Sequence, residues 1–494
     1  MLLLGIDLGT SSVKVSVLDA ANGKVLATAQ HPETEAAIIS HQPGWAEQSP
    51  NVWWQHVKAA ILKLHATGAY KPSDIGAIGI AYQMHGLVLV DNHHNVIRDS
   101  IIWCDNRAVA LGEKAFEQIG NDYCLMHLLN SPGNFTASKL AWVKQNEPEH
   151  YAQIHKMMLP GDFISMKLTG EITTTIAALS ESMFWDFKDN CLSEAVMNYY
   201  GLDPEHIPVI KKVFDTHGYV TEHIASELGI PKGIPVTYKA GDQQNNALSL
   251  NVLNPGEVAA TAGTSAVIYA VSDSLQADTA SRVNSFAHVN HTLEQNSIGV
   301  LLCINGAGIS NSWIKNKLGA SSYNEMNSLA ASVAPGSDGV AVLPFGNGSE
   351  RMLNNKNIGA HILGLDFNRH QAAHLFRAVQ EGVVFAMRYG FTVLQQNGVQ
   401  PTVIRAGKAN MFLSDVFADC FVNTLGVPLE LYHTDGSKGA AIGAGYGAKV
   451  YATIEEAFGN SKPVTIIEPS GTKDYEAAYK NWAQQLALQI KNNQ

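Results

Sequence analysis

The sequence predicts an α/β protein of two domains, and three observations support that fold class. The chain has 494 residues, enough for two or three domains that each bury a large core. Residues 5–14 form a pattern of strand, tight turn and strand, because apolar side chains alternate on both sides of Gly9. A second Gly-Thr-Ser turn occurs at residues 263–265, again before an alternating apolar run. We therefore expect a duplicated fold that divides into residues 1–246 and 247–494.

The composition argues against several classes of protein. Hydrophobic residues make up 46% of the chain and charged residues 16%, as in ordinary soluble globular proteins. The net charge is −11 and no basic run occurs, which argues against nucleic acid or an anionic membrane as a partner. The five cysteines show no Cys-x-x-Cys spacing, so we expect reduced thiols and no zinc or redox site. No apolar run approaches the roughly 18 residues of a membrane span, and we expect a cytoplasmic protein.

The first turn carries three hydroxyls and successive backbone N–H groups, which suit the oxygens of a phosphate. Asp7, just before the turn, could hold Mg²⁺ through water. The plainer alternative is a hairpin whose hydroxyls cap its own backbone, and an isolated turn favours that alternative. The second copy favours one polyphosphate held from both sides. The expected phosphate contacts are Gly9, Thr10, Ser11, Ser12 and Lys14 from the first turn, and Gly263, Thr264 and Ser265 from the second.

Turn and cap signals predict the elements of the first half. Asn22 and Gly23 predict a hairpin turn. Ser49 predicts the start of a helix that runs from Pro50 to about Thr67. Further strands are expected at residues 75–82, 87–90 and 100–103, and a helix opens near Asn134 and closes at Pro148.

Two of these strands end in polar residues, which is where α/β proteins usually place ligand contacts. One delivers residues 83–86, and the other is followed by Asp105 and Arg107. Taken singly, His85 is more simply a core histidine, and Asp105 with Arg107 an internal ion pair. The two strand ends together favour a small polyol site, since adjacent sugar hydroxyls need interleaved donors and acceptors.

Asp242 is the decisive catalytic candidate. It follows a predicted strand at residues 234–240, and it begins a helix directly after Gly241. Transfer of a phosphoryl group to an alcohol needs a carboxylate that orients the hydroxyl and accepts its proton. Taken alone, the residue is explained at least as well as a plain N-cap aspartate.

The second half repeats the alternation of strands and helices. Strands are expected near residues 267–269 and 298–302, and Ser310 is expected to begin a helix. A long amphipathic helix starts near Ala372 and ends near Gly398. The last expected elements are a strand with its turn at residues 403–410 and a small-residue helix at residues 436–445.

Several motifs together resemble the FGGY family of carbohydrate kinases, a branch of the actin-like ATPase superfamily. DLGTSSVK in the first turn and AGTSA in the second are similar to the family's two phosphate turns. Residues 134–148 resemble its first signature apart from Asn134, and residues 364–387 resemble its second apart from Gln380. The resemblance implies two ribonuclease H-like domains with a deep interdomain cleft. It also implies in-line transfer of the γ-phosphoryl group of ATP to a sugar hydroxyl in that cleft.

The resemblance implies roles for individual residues. Asp242 aligns with the family's catalytic base, and ATP with Mg²⁺ is expected, with Asp7 helping to place the metal. Residues 84–86 and 44–47 are most similar to family members that convert D-xylulose to its 5-phosphate. The implied sugar contacts are Met84, His85, Gly86, Trp103, Asp105 and Asn106, and the further nucleotide contacts are Gly306, Gly407, Lys408 and Asn410.

Two departures from the family pattern leave alternatives open. Residues 103–107 read WCDNR where WNDGR is usual, so the substrate could instead be ribulose, fuculose, gluconate or glycerol. The glycine-rich nucleotide turn reads RAGKAN, where Arg405 and Lys408 could narrow the pocket, or Lys408 could reach an ATP phosphate. A homologue disabled there would be a nucleotide-dependent sugar sensor, although a sensor has no need of Asp242. A homodimer is a further expectation.

Overall fold

A computed structural model describes residues 1–354, 356–459, 461–471 and 475–492. Each half of this part of the chain is built on a large sheet, which confirms the α/β class. The first sheet has six strands in the spatial order Gly218–Tyr219, Pro235–Gly241, Ile75–Tyr82, Leu2–Leu8, Val13–Asp19 and Lys24–His31. The second has seven in the order Asn284–Ala287, Ile298–Ile304, Ala266–Ser272, Glu257–Ala262, Val403–Gly407, Leu429–Tyr432 and Thr465–Ile467.

The two sheets share one construction, as the repeated turn predicts. Strand Leu2–Leu8 pairs antiparallel with the next strand across the first turn, and parallel with Ile75–Tyr82. Strand Glu257–Ala262 likewise pairs antiparallel across the second turn, and parallel with Val403–Gly407. Each Gly-Thr-Ser turn therefore joins the two strands of a hairpin. The first strand of each hairpin also pairs in parallel with a strand from later in the chain.

Helices and short strand pairs surround these sheets. The helices of the first half are Pro50–His65, Val109–Ile119, Asn121–His127, Thr136–Asn146, Pro148–Tyr151, Pro160–Thr169, Ile176–Glu181, Glu194–Tyr200, Glu222–Leu228 and Asp242–Ser249. Those of the second half are Ala307–Lys317, Tyr323–Ala331, Ala372–Gln396, Asp415–Leu425, Gly436–Gly447 and Glu476–Asn492. The short pairs are Glu47–Gln48 with Ser100–Ile101, Val88–Val90 with Lys156–Met158, Thr173–Thr175 with Val209–Lys211, Trp185–Asp186 with Cys191–Leu192, and Ala341–Phe345 with Gly359–Leu363.

Most predicted elements are confirmed to within a few residues, and the differences have local causes. The strand expected at residues 100–103 pairs only over Ser100–Ile101. The helix expected to begin at Ser310 starts instead at Ala307, because Gly306 takes a φ of 75° and turns the chain directly into the helix. Among the described residues, no helix is both long and apolar enough to cross a membrane.

Helix Gly436–Gly447 joins the two halves, because its small residues pack against the first sheet. A Cβ atom added at Gly5 would lie 1.9 Å from the carbonyl oxygen of Ser437. Strand and helix backbones are in contact there, and only glycine fits. The division expected between residues 246 and 247 falls inside helix Asp242–Ser249, and we place the boundary after that helix.

Candidate active site

Two adjoining cavities lie beside the second Gly-Thr-Ser turn. The smaller cavity has a volume of about 560 Å³ and the larger about 700 Å³, both in the usual size range of ligand pockets. Ser265 lines the smaller cavity, while Gly263 and Thr264 line the larger one, so ligands in the two cavities would meet at this turn. Both halves of the chain line the smaller cavity, and the residues used below are Thr10, Met84, His85, Trp103, Asp242 and Arg351.

Asp242 lies at the wall of the smaller cavity as the first residue of helix Asp242–Ser249. Gly241 is the N-cap, so the plain capping role considered for Asp242 does not apply. Loss of hydration raises the pKa of its carboxyl to about 7, and the negative charge of Asp7 adds to the increase. A carboxyl that is half deprotonated near neutral pH is well suited to accept a proton there.

Asp7 is the second carboxyl of the site. Loss of hydration raises its pKa to about 6, the charge of Asp435 adds to this, and the charge of Lys14 opposes it. The ammonium of Lys14 lies 3.5 Å from Asp435. Gly436 leaves room for the aspartate, because a Cβ atom there would lie 2.2 Å from Asp7 Oδ2. Asp7 thus carries unfavourable charge interactions with both Asp435 and Asp242, and a divalent cation would relieve that repulsion.

The helix that Asp242 begins also carries buried polar atoms without hydrogen-bond partners. Gln244 is fully buried, and neither its side-chain oxygen nor its nitrogen has a hydrogen-bond partner. Asn245 donates from Nδ2 to the carbonyl oxygen of Gly436 at 2.9 Å, while its buried Oδ1 accepts no hydrogen bond. Mg²⁺ prefers oxygen ligands such as carboxylates, and it keeps several of its water molecules when bound. Buried oxygen atoms without partners can accept hydrogen bonds from those water molecules. The residues present therefore fit the expected metal.

His85 is held in a strained and defined position. Its φ of 61° is unusual for a residue with a side chain. Its backbone N–H donates to Glu181 Oε2 at 3.1 Å, and Lys139 Nζ donates to its carbonyl oxygen at 2.9 Å. Its ring Nδ1 lies 3.0 Å from the carbonyl oxygen of Glu181, which can only accept, so Nδ1 carries the proton. Nε2 is consequently left as an acceptor.

The ring of His85 stays neutral in this setting. Burial lowers its pKa to about 3, and the positive charges of Lys139 and Arg351 contribute to the decrease, against the hydrogen bond to Glu181. A neutral imidazole with a free Nε2 accepts a hydrogen bond from a hydroxyl. The core-histidine alternative and the ligand-contact expectation are thus compatible, since one ring nitrogen is satisfied internally and the residue lines the smaller cavity.

Three residues of this site were not among the sequence-predicted contacts. Lys139 belongs to the segment that resembles the first family signature, and burial lowers its pKa to about 8. Arg351 comes from the second half, where it ends the segment at residues 343–351 that is similar to the family's LP-x-x-x-GER loop. Glu181 carries no sequence signal, and it lies 96 residues from the histidine it holds.

Of the other predicted sugar contacts, two line the smaller cavity and three do not. Asp105 is fully buried, bonded to Arg107 at 2.7 Å and to the backbone N–H of Ala46 at 2.6 Å, so the internal ion pair is the correct account. Asn106 lies with its exposed side chain against Gly44. Met84 and Trp103 line the cavity, whereas Gly86 packs beneath Pro160.

Residues of the altered nucleotide turn make contacts within the protein. Arg405 does not narrow a pocket, because its guanidinium pairs with Glu257 at 3.0 Å and Glu430 at 2.9 Å. Lys408 Nζ donates to Thr465 Oγ1 at 3.2 Å, and Lys408 lines a third cavity together with Asp435 and Lys438. Its contact with an ATP phosphate stays a prediction. Gly407 ends strand Val403–Gly407, and Asn410 lines the larger cavity. Their contacts with a nucleotide stay a prediction.

Comparisons with known proteins identify the family of this chain. Residues 2–249 match the N-terminal domain, and residues 258–448 the C-terminal domain, of the FGGY family of carbohydrate kinases. Xylulose kinase of Escherichia coli is 30% identical over 97% of this chain and 96% of its own. Xylulose kinase of Haemophilus influenzae is 28% identical over 98% of this chain and 99% of its own. A crystal structure described as a xyloylose kinase from Brucella ovis superposes with a TM-score of 0.88 and 26% identity, covering 99% of this chain and 98% of that one. The chain therefore belongs to the FGGY family of carbohydrate kinases.

Proposed function

We propose that this carbohydrate kinase transfers the γ-phosphoryl group of ATP to the 5-hydroxyl of D-xylulose. The observation that carries the proposal is the position of Asp242, whose carboxyl lines the smaller cavity beside the turn at residues 263–265. The same turn lines the larger cavity, whose volume and aromatic residues suit a nucleoside. Relatives named xylulose kinases support the choice of sugar.

The chain's own residues supply positioning and a base. Asp242 would accept the proton of the attacking hydroxyl as the P–O bond forms. His85 would accept a hydrogen bond from another sugar hydroxyl at Nε2, which holds the acceptor in line. The backbone N–H groups of residues 263–265 would bind phosphate oxygens. When bound near Asp7, Mg²⁺ would neutralise charge on the phosphates.

A panel of acceptors tests the choice of substrate. ADP release is measured with Mg²⁺-ATP and D-xylulose, D-ribulose, L-ribulose, L-xylulose, L-fuculose, gluconate or glycerol. We expect D-xylulose to give the highest kcat/KM by at least tenfold. A higher value for another acceptor would replace D-xylulose in the proposal, and no stimulation by any of the seven would contradict it. ADP release that does not depend on any acceptor would favour the sensor alternative.

His85→Ala should raise the KM for the sugar about tenfold, with a smaller change in kcat. The reason is the loss of one hydrogen bond that holds the substrate, since a tenfold change corresponds to about 1.4 kcal/mol. Initial rates over a range of sugar concentrations at saturating ATP give both constants. His94→Ala is the matched control, because His94 also has a positive φ of 62° but does not line the smaller cavity. An unchanged sugar KM in His85→Ala would contradict the proposed contact.

The rate should fall as the pH falls below about 7. The pKa of Asp242 is raised to about 7, so the carboxyl gains a proton below that pH and ceases to act as a base. The expected profile of log kcat/KM rises with a slope of about 1 and then levels off. A bound cation would move the limb to lower pH, because it opposes the repulsion between Asp242 and Asp7. A rate that is constant from pH 4.5 to pH 8 would contradict a base with this environment.

A further inference from the structure

A chain of side-chain hydrogen bonds runs from the smaller cavity into the first Gly-Thr-Ser turn. Trp103 lines the cavity with 45% of its surface exposed, and its Nε1–H donates to Thr10 Oγ1 at 2.9 Å. Thr10 Oγ1 donates in turn to Gln83 Oε1 at 3.0 Å. Gln83 Nε2 then donates to Gln48 Oε1 at 3.1 Å. The chain ends at Trp53, whose Nε1–H also donates to Gln48 Oε1, at 3.0 Å.

The direction of every bond in this chain is fixed by its two indoles, because an indole N–H can only donate. Trp53 therefore requires an oxygen from Gln48 at that point. The other end of the Gln48 amide must then be its NH₂. This group donates to the carbonyl oxygens of Thr10 at 2.8 Å and Ala37 at 3.3 Å. Gln83 must then donate to Gln48 from its NH₂ and present its oxygen to Thr10. The two indoles therefore determine which end of each amide is oxygen.

This direction determines what the Thr10 hydroxyl can do. Its single proton is used by Gln83, and one of its lone pairs accepts the Trp103 N–H. While this chain is intact, the hydroxyl has no proton left for a phosphate oxygen. Phosphate contacts of the turn would then come from backbone N–H groups and from Ser11 and Ser12. Thr10 is held at both its hydroxyl and its carbonyl oxygen, which fixes the shape of the turn.

We infer that Trp103 transmits occupancy of the sugar cavity to the phosphate turn through its N–H bond to Thr10. The inference rests on the proposed sugar site, because a sugar against the exposed indole would restrict its motion. A restricted indole keeps its bond to Thr10, and the turn then keeps the shape that binds phosphate. Gln83 and Gln48 are positioning residues that hold Thr10 from the other side. Binding of sugar and nucleotide should consequently favour each other, by the same factor in both directions.

Calorimetric titration with a non-hydrolysable ATP analogue tests this coupling. The analogue's Kd is measured without sugar and with a saturating amount of whichever panel sugar the wild type phosphorylates fastest. We expect the sugar to tighten analogue binding about five- to twentyfold in the wild type. In Trp103→Phe, which keeps an aromatic ring but loses the N–H, the factor should fall below about two.

Substitutions at Thr10 provide the matched pair. Thr10→Val keeps the shape but has no hydroxyl, so it should lose the coupling, whereas Thr10→Ser keeps the hydroxyl and should retain it. A wild-type factor near one, or an unchanged factor in Trp103→Phe or Thr10→Val, would overturn the inference. Equal weakening of analogue binding by Thr10→Val with and without sugar would instead make Thr10 a direct phosphate contact. Failure of the substrate proposal is recognised separately, because it changes which sugar is used and not the comparison between variants.

Discussion

Asp242→Asn should lower kcat about 1,000-fold while the KM for ATP stays within about threefold. The amide has nearly the same shape but cannot accept the proton of the attacking hydroxyl, and general-base catalysis typically contributes about 10²- to 10⁴-fold. Nucleotide affinity should be preserved, because Asp242 lines the smaller cavity and not the larger one. Steady-state rates with a coupled ADP assay give both constants. A variant with more than a tenth of the wild-type kcat would contradict the assignment of the base.

Two controls show that such a loss comes from chemistry. Glu194→Gln also removes a carboxylate from the first turn of a helix, but at an exposed position outside both cavities, and it should be fully active. Asp242→Asn should also melt no lower than the wild type at pH 8. The folded-state pKa of Asp242 is raised, so its contribution to stability is present at low pH and is lost as the pH rises through about 7. Removing the charge therefore stabilises the fold above that pH.

Asp7→Asn should lower kcat about 100-fold and raise the Mg²⁺ concentration needed for half-maximal rate. The carboxylate would help place a cation that neutralises the phosphates, and about 3 kcal/mol of transition-state stabilisation corresponds to roughly that factor. Mg²⁺ titrations at fixed ATP measure the change. Asp19→Asn is the control, because Asp19 lies at the opposite end of the same hairpin and caps only its own turn.

The pH dependence of the rate is a second measurement on Asp7→Asn. The negative charge of Asp7 is one of the causes that raise the pKa of Asp242. The acid limb of the variant should therefore lie at lower pH than that of the wild type at low Mg²⁺. A variant with wild-type kcat and wild-type Mg²⁺ dependence would contradict the proposed metal position. A variant with a reduced rate but an unshifted limb would contradict only the interaction between the two carboxyls.

Local sequence patterns were sufficient to predict the hairpins, the duplicated sheets and the place of Asp242. The period of two around residues 5–14 and the repeat at residues 263–265 each report a strand next to a tight turn, and both are short-range signals. Strand, glycine and aspartate at residues 234–242 likewise lie in one continuous segment. Such features depend on neighbours in the chain, which the sequence displays directly.

Contacts between distant segments could not be predicted in this way. Glu181 lies in an unremarkable stretch, and only the fold brings it against the backbone of His85. The position of Arg405 suggested that it could narrow the nucleotide pocket, whereas its partners Glu257 and Glu430 come from the two neighbouring strands. Asp105 accepts a hydrogen bond from the backbone N–H of Ala46, which is 59 residues away. Contacts of this kind depend on tertiary packing, and they cannot be predicted from the spacing of residues in the sequence.

The most direct test of the central claim is the identity of the product. D-xylulose is incubated with Mg²⁺-ATP and the enzyme, and the product is examined by ³¹P-¹H correlation NMR with Asp242→Asn in parallel. We predict a phosphomonoester whose phosphorus couples to the two protons at C5, formed by the wild type and absent with the variant over the same time. Phosphate on another carbon, release of inorganic phosphate without a sugar phosphate, or equal product from the variant would contradict transfer to the 5-hydroxyl by Asp242.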